Sequence, residues 1–154
     1  MKRIPAACWL AAFAFLTLQV CDAAPADEAH FRELYRELVE TNTSLSAGDC
    51  TLAAQRMAAR LKQAGFGDSD VQVFTAPEHP KEGGLLAVYP GRNPKLKAIL
   101  LLAHLDVVEA KREDWTRDPF KLVEENGNFY ARGSVDDKAQ AAIWVDTLIR
   151  YRTE

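Results

Sequence analysis

Ala98-Ile-Leu-Leu-Leu-Ala103 runs without a polar side chain into His104-Leu105-Asp106. An unbroken apolar run of this length predicts a strand covered on both faces, the kind found in sheets with helices packed against them. In an extended segment residues i and i+2 share a face, so the imidazole of His104 and the carboxylate of Asp106 are expected to project together where the strand ends. Asp136 follows in Arg132-Gly-Ser-Val-Asp136-Asp137-Lys138. A His nitrogen with a nearby carboxylate suits zinc, and a second carboxylate can bridge two ions. Each residue has an ordinary structural reading as well: a hydrogen-bonded His, a turn Asp, a helix N-cap at Asp136 or Asp137. Their joint position, where apolar structure gives way to loops, shifts the balance toward ligands.

Outward from this stretch the pattern alternates between helix and strand. Phe31, Leu34, Tyr35, Leu38 and Val39 have the spacing of an amphipathic helix over 27–41. A polar connector, 42–49, ends in Asp49 as N-cap of a second helix, which Gly65 stops. Val71, Val73 and Thr75 predict a strand, 77–84 a loop rich in Pro and Gly, and Leu85–Tyr89 another strand. The pair Asn126-Gly127 predicts a hairpin between 121–124 and 128–131, and 137–151 a closing helix. The expected fold class is therefore α/β, a mixed central sheet flanked by helices.

The beginning of the chain reads differently. Met1-Lys2-Arg3 precedes an almost wholly apolar run from Ile4 to Val20, which leads to Ala24-Pro25-Ala26. This is the pattern of a secretory signal peptide, 1–26, with cleavage after Ala26 and a mature part over 27–154. A secreted or periplasmic location follows. Lipid attachment at Cys21 is the less favoured alternative, because Leu18-Gln19-Val20 lacks the usual small residue before the cysteine. Only Cys50 would remain in the mature part, which leaves no intramolecular disulfide. Losing Lys2, Arg3 and Asp22 takes the formal charge from -3 to -4. Such mild acidity argues against nucleic acid as a partner.

Ala103-His-Leu-Asp-Val-Val108, Trp115-Thr-Arg-Asp-Pro-Phe120, Asn126-Gly-Asn-Phe-Tyr-Ala-Arg-Gly133 and Asp136-Asp-Lys138, in this order and spacing, resemble the zinc peptidases of metallopeptidase family twenty. That family includes aminoacylases, acetylornithine and succinyl-diaminopimelate deacylases, glutamate carboxypeptidases and carnosine-type dipeptidases. The resemblance implies the front portion of the zinc-peptidase catalytic domain. His104 and Asp136 would be metal ligands, with Asp136 bridging two zinc ions, for which cobalt or manganese are alternatives. Asp106 would be the catalytic-site residue that orients the imidazole of His104. The resemblance also implies a cis Asp136-Asp137 bond, a small peptide or N-acyl amino acid as substrate, and a homodimeric full-length form. Arg132, Gly133 and Lys138 match the motif and are expected to shape the loop. Ala131, Glu109 and Ala139 depart from residues common there, without touching a proposed ligand. The family's general-base Glu, its remaining ligands and its dimerisation domain match no position in these 154 residues. The stretch is thus expected to be inactive alone, and the alternative is a non-catalytic binding module derived from the peptidase fold.

Overall fold

The computed structural model describes residues 25–153, so the expected signal peptide lies almost wholly outside the described residues. Three helices carry the core. α1 (Pro25–Glu40) buries Leu34, Tyr35, Leu38 and Val39, which recur on one helical face as their spacing requires. α2 (Cys50–Gln63) starts where the Asp49 carboxylate accepts the Leu52 amide at 2.7 Å, and buries Ala53, Ala54, Met57, Ala58 and Leu61. α3 (Lys138–Thr153) adds Ala141, Ala142, Val145 and Ile149 to the same cluster. Leu34, Leu38, Met57 and Leu61 are essentially inaccessible, so each contributes the several kcal/mol typical of a fully buried aliphatic side chain.

Two small antiparallel sheets flank these helices. β1 (Val71–Ala76) pairs with β2 (His79–Ala87) from Val71 opposite Ala87 to Ala76 opposite His79, with an irregularity between Phe74 and Ala76. β3 (Val123–Glu125) pairs with β4 (Asn128–Tyr130) across Asn126 and Gly127, whose φ values of 52° and 74° give the left-handed pair that a tight hairpin needs. Among the described residues no helix is long and apolar enough to cross a membrane.

The α/β class holds, but the pairing differs from the expected central sheet in two places. Residues 77–84 were expected to form a loop, yet the turn is only Pro77-Glu78 and β2 begins at His79. Pro80 and Gly83 are accommodated because Thr51 on α2 bonds both, donating to the Pro80 carbonyl at 2.6 Å and accepting the Gly83 amide at 2.9 Å. At Gly83 a Cβ would lie 2.5 Å from the Phe74 carbonyl oxygen, so the glycine marks a close approach rather than a turn. The second difference concerns 98–104, which has no ladder partner among the described residues. It is not a strand, and Ile99, Leu100 and Leu102 are 87%, 74% and 73% exposed. Both sheets close through short local turns, whereas this segment has no adjacent strand to pair with. Its apolar composition therefore predicts cover that these residues do not supply.

Candidate functional site

Lacking a ladder, the segment 102–107 is held by its backbone from two sides. From the α3 side, the Trp144 indole donates to the Leu102 carbonyl at 3.2 Å and the Asp137 carboxylate accepts the His104 amide at 3.3 Å. From the connector after α1, the Thr43 hydroxyl donates to the Leu105 carbonyl at 2.6 Å and the Thr43 carbonyl accepts the Val107 amide at 3.2 Å. Ser44 and Val107 form a parallel bridge there, and Glu109 accepts both the Ser46 amide and its hydroxyl, at 2.9 and 2.8 Å. Those two bonds hold the Glu109 carboxyl below its usual range.

Asp136 comes from the turn before α3, not from within the helix, and the Asp136-Asp137 peptide is cis. Two features fix this turn. Gly133 has φ of 81° and lies so close to its neighbours that a Cβ would meet Val107 Cγ1 at 2.7 Å. Lys138 is fully buried and donates to the carbonyls of Thr41 and Val39 at 2.7 and 3.4 Å, satisfying the open end of α1. Burial lowers its pKa to about 8. Tyr35 adds a further tie, its hydroxyl donating to the Ser134 carbonyl at 2.6 Å.

The two loops bring His104 Nε2 to 3.0 Å from Asp136 Oδ1. His104 Nδ1 lies 3.0 Å from the Asp106 backbone carbonyl and 3.4 Å from its carboxylate Oδ1. Asp106, which the resemblance implied would orient the imidazole, thus meets the ring mainly through its backbone carbonyl. Burial opposes protonation of His104, but the Asp106 carbonyl and the Asp136 carboxylate outweigh it and raise its pKa. The three residues share a cleft of about 240 Å³ with Val107, Arg132 and Gly133. A larger hollow of about 340 Å³ lies against α1 and α2, but Glu37 and Arg60 on its wall already pair at 2.5 Å. It gathers no His or Cys.

Two donors sharing one zinc, each ~2.0–2.1 Å from it in tetrahedral geometry, stand ~3.3 Å apart. The 3.0 Å separation of Nε2 and Oδ1 is close to that value. An Nδ1–H donated to the Asp106 carbonyl would leave the Nε2 lone pair free for a metal. The donor set therefore fits a metal ion as two of its ligands. No group of three or more His, Cys, Asp or Glu side chains able to hold an ion forms among the described residues. His30 and His79 are exposed, the latter 3.2 Å from Glu82, and Cys50 is a free, half-buried thiol whose pKa burial pushes up.

The family model of Peptidase family M20/M25/M40 matches residues 100–154, the stretch that carries His104, Asp106 and Asp136. The chain belongs to this family. Among its M20 relatives is aminoacylase-1 of Pongo abelii, 31% identical over 131 residues, which cover 84% of this chain and 31% of the relative. Acetylornithine deacetylase of Photorhabdus laumondii is 34% identical over 124 residues, 77% of this chain and 30% of that protein. Among solved structures, human carnosine dipeptidase 1 superposes with a TM-score of 0.55 at 25% identity, over 83% of this chain and 30% of the other. The dipeptidase Dug1p of Saccharomyces cerevisiae gives 0.60 at 22% identity, over 83% and 29%, and supports the M20 fold alone. The chain thus spans about three tenths of the length of the M20 relatives it matches.

Of the M20 site residues expected from sequence, the structure brings together His104, Asp106 and Asp136. The spacing argument missed Thr43, which looked like one more polar residue of a connector. Its only sequence signal is a β-branched hydroxyl residue beside Asn42, a weak cue for a buried turn.

Proposed function

We propose that this chain supplies the first metal-binding part of a zinc-dependent exopeptidase or amidohydrolase, cleaving an amide bond in a small peptide or an N-acyl amino acid. The observation that carries the proposal is the 3.0 Å approach of His104 Nε2 to Asp136 Oδ1 on the wall of an open cleft. The names of the relatives, an aminoacylase, a deacetylase and dipeptidases, support the substrate class. When bound, zinc would polarise the scissile carbonyl and acidify a bound water. His104 offers Nε2, Asp136 offers a carboxylate exposed enough to bridge two ions, and Asp106 orients the imidazole from behind. Two zinc ions, or cobalt or manganese in their place, and a homodimeric full-length form belong to the same reading.

Within these 154 residues the site would hold metal weakly and turn over no substrate, because two ligands fall short of the three that a catalytic zinc usually takes from protein. Zinc titration by calorimetry, with assays on dipeptides and N-acetyl amino acids, tests both parts. Weak binding that falls at least tenfold in His104→Ala or Asp136→Asn is the expected result. Stoichiometric retention of two zinc ions after dialysis, or turnover abolished by Asp106→Ala, would overturn the inactivity, while an unchanged affinity in both variants would overturn the site. We also propose export with cleavage after Ala26. N-terminal sequencing of the released protein should begin at Asp27, and a chain retaining Met1 in the membrane would refute it.

A further inference from the structure

We propose that Thr43 is the positioning residue that sets the ring of His104, although it offers no ligand atom itself. Its hydroxyl and carbonyl grip the backbone on both sides of Asp106, at the Leu105 carbonyl (2.6 Å) and the Val107 amide (3.2 Å). The carbonyl of Asp106, thus fixed, lies 3.0 Å from His104 Nδ1. That bond favours a proton on Nδ1, in competition with the Asp136 carboxylate 3.0 Å from Nε2, and with Nδ1 protonated the Nε2 lone pair is left for a metal held together with Asp136. Thr43 is 1% exposed, so an isosteric valine would fill the place of the hydroxyl and leave the Leu105 carbonyl without that donor.

The same short segment also serves the other half of the site. The Thr41 carbonyl accepts Lys138 Nζ at 2.7 Å, and Lys138 follows the turn that carries Asp136. Residues 41–43 are therefore the common reference for both loops, and the spacing between His104 and Asp136 is set from there. The ties of 102–107 to the α3 side reach only Leu102 and His104, so on both sides of Asp106 it is Thr43 that holds the backbone.

The proposal rests on the metal reading for its purpose, so the test has one arm with metal and one without. In the first, ring ¹⁵N shifts of His104 are followed through a pH series to their neutral plateau for the wild-type chain, Thr43→Val and Thr43→Ser. The wild type and Thr43→Ser should share one tautomer ratio, and Thr43→Val should shift it toward Nε2–H, the proton that the Asp136 carboxylate still accepts. In the second, zinc alone is titrated into the same proteins. The affinity of Thr43→Val should fall about tenfold, the loss typical of a residue that orients a ligand, with Thr43→Ser close to wild type. Circular dichroism confirms that the fold persists; if Thr43→Val does not fold, Thr43→Cys, which keeps the size but donates weakly, takes its place. A tautomer ratio unchanged by the loss of the hydroxyl, or a serine variant that behaves like valine, would overturn the role of Thr43. A wild-type chain with no zinc affinity would instead count against the metal reading, and the tautomer arm would still decide on Thr43.

Discussion

Gly133 shows most directly how one residue controls the geometry of the cleft. A side chain there faces two penalties at once, a left-handed backbone at φ 81° and a Cβ only 2.7 Å from Val107 Cγ1. Gly133→Ala should therefore cost about 2–4 kcal/mol, combining the left-handed strain with overpacking. Urea unfolding checks this, and a midpoint within error of wild type would refute it. Zinc affinity should fall as well, because Val107 is the residue next to Asp106 and its amide is tied to Thr43. At this scale the chemistry-bearing groups were legible in the order of the motifs that carry His104, Asp106 and Asp136, although the strand on which the period-2 argument rested is absent. Thr43 and Lys138 were not legible in their roles. They act through bonds to backbone 62 and 97 residues away, and contacts of that range leave no periodic trace in the chain.

Among the elements, the clearest signals are those whose physics is local. Asp49 was recognisable as an N-cap because a short acid before an apolar-periodic run accepts amides that the first helical turn leaves free. In the structure it takes the Leu52 amide at 2.7 Å, so Asp49→Ala should lower stability by about 1 kcal/mol and reduce the thermal midpoint measured by circular dichroism. An unchanged midpoint would mean that water replaces the cap without loss. The hairpin at Asn126-Gly127 and the stripe of α1 were legible for the same reason. The ladder-free course of 98–104 was not, because an apolar run reports that burial is wanted and says nothing of which strand provides it. β2 was hidden by the opposite error: Pro80 and Gly83 look like turn residues until α2 is placed beside them, and the Thr51 bonds that tolerate them are tertiary.

At the scale of the whole molecule, packed helices and exposed apolar backbone stand side by side. The three helices share one core, while Leu96, Ile99, Leu100 and Leu102 present adjacent apolar side chains with no strand beside them. Exposed, unpaired and apolar backbone of this kind seeks partners. The purified chain should self-associate at micromolar concentration, and Leu100→Lys with Leu102→Lys should shift it toward monomer in sedimentation velocity without loss of helical signal. A wild type that stays monomeric at high concentration would contradict this. The Thr43 clamp has a consequence for how the molecule comes together in time. A ribosome delivers residues 41–43 long before the loops they grip, and no short segment of nascent chain can rehearse the approach of His104 to Asp136. Closing so long a loop adds little extra cost, since the entropic penalty grows only logarithmically with length. What it does impose is dependence on the docked helices: under the proposed metal reading, affinity at this cleft would report global folding, lost when the helices separate and regained only when the native arrangement is complete.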